Sequence, residues 1–289
     1  MIKTYTQKDE QKLKQLIIST NSEIDLIEIP KNPNYVSSFL SYMEDEIVGW
    51  IVAWKSSFHP HCTYFRIVIQ SENHDSFIQL LDALEDSLTE KDYPLLTGVD
   101  GGKDLSNYYQ KNNFEIIRET YLPTIKLSNV ELLPFKTHDI KTVREIRHNH
   151  LLVNELTRLV KNVYEETHLV NPVAEFDLET WEELIFAEDL LLDGSFIYLN
   201  DNDEVLSYSF LHKSEEENKV ELGWIGSRSK SYIQSLHTLV SLQINYAKQN
   251  NYQYLEGEFD TTDPYAMEVL HKFQFPKETV WITYSKKER

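Results

Sequence analysis

The sequence predicts an α/β (α+β) protein in which one fold is written twice. Three observations carry this: a length of 289 residues, enough for two domains with cores of their own; a set of collinear matches between the two halves; and an order of helices and strands that repeats. The matches come first, because a missed repeat distorts every later assignment. Asp45-Glu46-Ile47-Val48-Gly49-Trp50 resembles Asp203-Glu204-Val205-Leu206-Ser207-Tyr208 at an offset of 158. Ser76 to Leu81 resembles Ser231 to Leu236 at an offset of 155, and Tyr109 to Phe114 resembles Leu270 to Phe275 at 161. A weaker pair, Tyr5 to Asp9 against Phe135 to Asp139, sits at 130, so the second half carries an insertion of 28 residues after it.

Each element has a local reason. A helical pattern over Asp9 to Ile18 precedes strands at Val36 to Tyr42, Ile47 to Lys55 and Thr63 to Gln70, rich in β-branched and aromatic residues. Phe77, Leu80, Leu81, Leu84 and Leu88 recur at helical spacing within Ser76 to Lys91. A strand (Leu95 to Val99), a short helix (Leu105 to Lys111) and a strand pair broken near Pro123 complete the half. The second half reads as helices at Ile140 to His148, Leu152 to Glu166 and Leu178 to Phe186, then strands Ser195 to Asn200, Val205 to Lys213 and Lys219 to Ile225. A long helix (Tyr232 to Gln249), strand Tyr254 to Phe259, helix Tyr265 to Lys272 and strand Val280 to Tyr284 follow. Pro123 and the polar Lys126 to Asn129 stretch place a boundary between domains 1–125 and 126–289.

Composition excludes several classes. With 28 Lys+Arg against 47 Asp+Glu the net charge is -19, which argues against gripping nucleic acid or an anionic membrane. Cys62 is the single cysteine, so no intramolecular disulfide forms. No apolar leader or membrane span is evident, and a cytoplasmic protein is expected. Only 8 glycines occur, against roughly 20 at average usage of about 7%, and neither GxGxxG nor GxxxxGK[ST] can be assembled from them.

The element order, with Asp263, Ala266, Leu270, Lys272, Gln274 and Phe275 in the second half and Gly102, Leu105, Tyr109, Lys111, Asn113 and Phe114 in the first, resembles the GNAT superfamily of acyl-CoA-dependent N-acetyltransferases in tandem arrangement. That family's pattern at those steps is Asn, Ala, Tyr, Lys, Gly and Phe, so both halves keep the Lys and Phe. The resemblance implies two GNAT-like domains, each a mixed, mostly antiparallel central sheet flanked by helices, with acetyl-CoA as cosubstrate. It implies cofactor contacts from Trp224, Ile225 and Gly226 at the end of the fourth strand, from Arg228, Lys230, Ser231, Tyr232, Ile233, Gln234 and Ser235 in the following loop, and from Asp263.

The physics of that loop is anion binding at a helix N-terminus. Ser227 to Ser235 holds no glycine, but Arg228, Lys230 and its serines suit a phosphate; the alternative is a serine-rich cap with surface cations. The first half offers Gln70-Ser71-Glu72-Asn73-His74-Asp75 there, whose carboxylates would face the pyrophosphate, so the C-terminal half is expected to be the active one. Acetyl transfer needs a base and a polarised carbonyl. Glu221 on the fourth strand is the candidate base, with a solvated strand residue as the alternative, and Glu256, Glu258 and Asp260 on the next strand could share the role. Leu270 replaces the family's tyrosine acid, leaving Tyr265 or Tyr232 to substitute.

His59-Pro60-His61-Cys62 has ligand-type residues without a second pair, so no metal site is assigned. The expected reaction is acetylation of a primary amine of a small molecule or peptide, cationic if the acidic surface steers it. The alternative is a non-catalytic binding or interaction module on the same fold.

Overall fold

The structure, a computed structural model, describes residues 1–70, 74–101, 105–130, 139–278 and 280–288. The first-half loop positions 71–73, Gly102 and residues 135–138 of the repeat segment lie outside the described residues.

The first half opens with β1 (Ile2–Thr4) and α1 (Glu10–Ser19), whose Leu13, Leu16 and Ile17 are buried at helical spacing. A meander of β2 (Tyr35–Met43), β3 (Glu46–Trp54) and β4 (Thr63–Ile69) follows, then α2 (His74–Asp86), β5 (Leu95–Asp100), α3 (Ser106–Lys111), β6 (Glu115–Tyr121) and β7 (Thr124–Lys126). In the second half β8 (Ile140–Thr142), α4 (Val143–Ile146), α5 (His150–Thr167) and α6 (Leu178–Ile185) precede β9 (Phe196–Leu199), β10 (Val205–Lys213) and β11 (Lys219–Ser227). The chain ends with α7 (Ser235–Gln249), β12 (Tyr254–Gly257), β13 (Phe259–Asp260), α8 (Pro264–Lys272) and β14 (Val280–Lys286).

These strands form two mixed sheets, with orders β1-β2-β3-β4-β5-β14-β6-β13 and β7-β12-β11-β10-β9-β8. Two differences from the sequence reading follow. The strands flanking Pro123 do not pair with each other: β6 lies in the larger sheet and β7 in the smaller one. The last strand crosses over, so that β14 sits between β5 and β6, pairing antiparallel with both. The sheets therefore interleave the chain and do not divide it at residue 125. Local pattern cannot reveal this, because a buried strand reads the same whichever sheet receives it.

Smaller departures have local causes. Ile140–Thr142 is a strand against β9, and Thr142 then caps α4 by accepting from the Glu145 N–H at 3.2 Å. The segment read as one strand from Tyr254 splits at Gly257: β12 pairs with β11, whereas β13 pairs with β6 of the other sheet. A Cβ at Gly257 would lie 2.5 Å from the Phe259 ring, which folds back over the split, so only glycine fits there.

The larger sheet is packed on both faces. Leu13, Leu16, Ile17, Leu40 and Trp50 fill the α1 side, and Phe65, Phe77, Leu80, Leu84, Tyr109 and Tyr284 the α2 side. The second half has one continuous core between α5, α7, α8 and the smaller sheet.

Candidate active site

The second half's cleft is made by strands that part. β11 and β12 run parallel from Lys219↔Tyr254 to Leu222↔Gly257, and then β12 gives way to β13 in the other sheet. Beyond Leu222 one edge of β11 faces open space. A bulge marks the same place: between the pairs Ser209↔Ile225 and Leu211↔Leu222, Phe210 alone opposes both Gly223 and Trp224. Such a bulge re-aims the backbone and leaves a peptide group unpaired.

The opening is a cavity of about 320 Å³. Leu222, Gly223, Trp224 and Ile225 form one wall, Glu258, Asp260, Asp263 and Ala266 the opposite one, and Val163, Tyr164 and Thr167 of α5 with His168 at its C-terminal end the roof. A larger groove of about 700 Å³ between α5 and α6, lined by Arg147, Glu179, Glu182 and Glu183, involves no parted strands.

The charges in the cavity are tuned by burial. Desolvation lifts the Glu258 carboxyl above its usual range, with Asp260 adding to the rise and Arg118 opposing it. Asp263 is pushed up to about 6 by burial, although it accepts from the Tyr265 and Ala266 N–H groups at 2.8 and 3.1 Å as the cap of α8. Asp260 is held by its neighbours on β6 in the larger sheet, by Arg118 at 3.2 Å and by the Thr120 hydroxyl. His168 is shifted down by burial while its Nδ1 lies 2.8 Å from the Tyr164 carbonyl, which fixes a proton on that nitrogen.

The sequence-derived candidates are only partly brought together. Trp224, Ile225 and Asp263 line the cavity, and Gly226 follows on the same strand, buried against Val163 and Tyr208. Glu221 stands where β11 is still paired on both sides, opposite His212 and Glu256, and does not line the cavity. Glu256 is ion-paired to Lys219 at 2.7 Å. Tyr265 is buried near the Ser227 side chain, away from the cavity lining. Leu270 belongs to the core.

The loop closes on itself. Lys230 to Tyr232 form a 3₁₀ turn, with Tyr232 N–H bonded to Ser229 O and Ile233 N–H to Lys230 O. The Ser229 and Ser231 hydroxyls meet at 2.6 Å, as do those of Ser207 and Ser235. Ile233 packs on the core, Gln234 is exposed just before α7, and Lys230 is exposed. Arg228 turns to α5, pairing with Glu155 and lining a hollow of about 310 Å³ with Arg158, Asn162 and Glu166. Arg158, absent from the sequence-derived set, is a second cation there.

The first half has the matching divergence, filled. β4 and β5 pair only at Thr63↔Leu95 and Tyr64↔Leu96, and the space beyond holds the Trp281 indole with the Arg66 guanidinium 5.0 Å above its ring. A cavity of about 50 Å³ remains.

The fold itself decides the comparison. A GCN5-related N-acetyltransferase from Sphaerobacter thermophilus superposes with a TM-score of 0.66 at 10% identity, over 99% of this chain and 95% of that one. A tandem GNAT protein from the clavulanic acid biosynthesis pathway superposes at 0.56 with 9% identity, over 99% and 98%. The chain has the tandem GNAT fold. A GNAT-family acetyltransferase from Colwellia psychrerythraea also covers 100% of both chains, at a TM-score of 0.53 and 12% identity. No protein-family profile and no curated protein sequence matches the chain.

Within this tandem GNAT fold, no helix among the described residues is long and apolar enough to cross a membrane. His59 and Cys62 have uses other than ligation. His59 meets Tyr164 of α5 at 3.1 Å, and the Cys62 thiol donates to Asn171 at 3.3 Å. Sequence reasoning missed Tyr164 and His168, which α5 presents four residues apart and stacked at 3.8 Å; only helical spacing on the inserted segment hints at them.

Proposed function

We propose that this chain is an acetyl-CoA-dependent N-acetyltransferase acting on a primary amine, with its active cleft in the second half. The parted β11 and β12 carry the reading. An extended, amide-bearing arm can pair with the free edge of β11 as an added strand, and the bulge at Gly223–Trp224 turns peptide donors toward a thioester carbonyl. Trp224, Ile225 and Gly226 would hold that arm. Arg228, Arg158 and Lys230, with the serines from Ser231 to Ser235, would meet the phosphates.

The acceptor enters against Glu258 and Asp260. Two carboxylates beside Tyr164 and Trp224 suit a cationic amine, since aromatic faces and anions both attract it. The base moves accordingly from Glu221 to Glu258, which lines the cavity and whose raised carboxyl is better matched to an ammonium than an exposed one. The thiolate leaves unaided by Leu270, at a tolerable cost given an ordinary thiol pKa of about 8.5.

A second reading, a non-catalytic ligand-binding or interaction module, is favoured by the closed, glycine-free loop. Thermal unfolding with acetyl-CoA separates the two. Ligand at 100 times its dissociation constant stabilises by about 2.7 kcal/mol. A shift that disappears in Lys230→Glu supports the cofactor assignment, and no shift at millimolar acetyl-CoA removes it. A shift without release of CoA from acetyl-CoA in the presence of any primary amine would leave the binding module.

A further inference from the structure

The first half reaches into the second half's cleft at one point. The loop between β3 and β4 lays Phe58 and His59 against α5 and the segment that follows it: the Ala174 N–H donates to Phe58 O at 2.8 Å, and Phe58 packs on Tyr164, Phe176 and Trp181. His59 Nε2 lies 3.1 Å from the Tyr164 hydroxyl, and its ring stacks near those of Tyr164 and His168. Tyr164 lines the cavity; His59 stands behind it.

Resting on the acetyltransferase reading, we propose that His59 sets the hydrogen-bond polarity of Tyr164, so that the Tyr164 oxygen faces the cleft as an acceptor for an amine N–H. His59 Nδ1 is buried and makes no hydrogen bond of good geometry, while the backbone of Asn171 and Pro172 beside the ring favours protonation; the neutral ring's proton is accordingly assigned to Nδ1, on that side, and Nε2 is left against Tyr164. Nε2 then presents its lone pair. The Tyr164 O–H donates to it, and the oxygen's own lone pairs are left for the cavity.

An attacking amine must aim its lone pair at the carbonyl carbon, so its N–H groups need acceptors around them. Glu258 and Asp260 supply two from one wall, and Tyr164 supplies a third from the roof. Tyr164 is the residue that touches the acceptor; His59 is a positioning residue acting through it.

Protonating His59 reverses the arrangement. Nε2 becomes a donor, the Tyr164 hydroxyl hydrogen turns into the cleft, and it opposes an amine N–H. Burial holds His59 below its ordinary value, with His61 on its own loop and Arg118 on β6 pushing the same way. Around Tyr164 the facing charges are Arg118, Asp260 and Glu258, with Tyr64 and His168 beside it. At neutral pH the acceptor arrangement therefore holds, and it reverses below the ordinary histidine range.

The test uses the full chain with labelled histidine and tyrosine, and propylamine as the probe. Nuclear magnetic resonance at pH 7 is expected to find His59 Nε2 unprotonated. Titration of His59 below pH 6.5 is expected to shift the Tyr164 ring signals and to weaken propylamine's effect on them about two- to tenfold, the size of one hydrogen bond. His59→Gln, which still accepts but does not titrate, should keep the propylamine effect at pH 7 and lose its dependence on His59 titration. His59→Leu should lose the effect at both pH values. A proton on Nε2 at pH 7, or Tyr164 signals indifferent to both variants, overturns the proposal. Failure of acetyl-CoA to bind would instead strike the acetyltransferase reading, and these signals report independently of it.

Discussion

Trp281 lies across Gly98 so closely that a Cβ at position 98 would sit 2.0 Å from the indole Nε1. The last strand thus brings its own side chain into the first half's divergence, where the second half leaves its cavity. One fold carries an open and a filled version of the same cleft, and the difference is a tryptophan delivered from the far end of the chain.

Gly98→Ala is therefore expected to destabilise by about 1–3 kcal/mol, the usual penalty for overpacking, because the Cβ meets a ring wedged against Arg66. Denaturant midpoints check it. Adding Trp281→Phe should recover part of the loss, since the smaller ring vacates the contact; strict additivity of the two changes would contradict the packing.

Because β14 sits inside the larger sheet, ending the chain at Glu278 should cost the first half its fold, although every residue from 1 to 125 is retained. Tyr284 and Lys286 are almost fully buried there, with Lys286 ion-paired to Glu85 of α2. Limited proteolysis of the shortened chain is expected to cut within the first half. Protection equal to the full chain would argue that the sheet closes without β14.

Asp263→Asn should stabilise the protein at pH 7. The folded carboxyl is pushed up to about 6 from an ordinary 3.8, so the folded state binds the proton more tightly than the unfolded chain. Its relative stability is complete below about pH 4 and lost as pH rises through 6, by about 2–3 kcal/mol at 1.36 kcal/mol per unit. Asparagine caps a helix equally well and does not ionise. The variant's unfolding free energy should fall less steeply than the wild type's between pH 4 and 6; identical slopes would show that Asp263 is not desolvated.

Much of the architecture was legible in sequence because it is local. The meander, the α2 stripe of Phe77, Leu80, Leu81 and Leu84, and β10 within Val205–Lys213 follow from side-chain period alone. The crossing of β14 was not legible, since Val280 to Tyr284 specify a strand but not a neighbour. The site divides in the same way. Trp224 and Ile225 follow from position on the fourth strand, and Asp263 from its place before α8. Tyr164 and His59 come together across 105 residues of chain, a contact that no spacing rule anticipates. Glu221 lies outside the cavity lining for a physical reason: it precedes the point at which the strands part, and only the register shows where that point falls.

Glu258→Gln is expected to lower acetyl transfer by about 10²- to 10⁴-fold, the range of a lost general base, while leaving acetyl-CoA affinity nearly unchanged. Single-turnover rates against amine concentration measure this. An equal loss in Glu221→Gln with none in Glu258→Gln would return the base to the paired region of β11.

The measurement that reaches furthest is calorimetric titration of acetyl-CoA into the full chain and two variants, one per cleft. Ala266→Trp fills the second half's cavity, and Trp281→Phe loosens the first half's plug. The account requires one-to-one binding that Ala266→Trp abolishes and Trp281→Phe leaves intact. No binding at millimolar acetyl-CoA, or binding that survives Ala266→Trp, would contradict it.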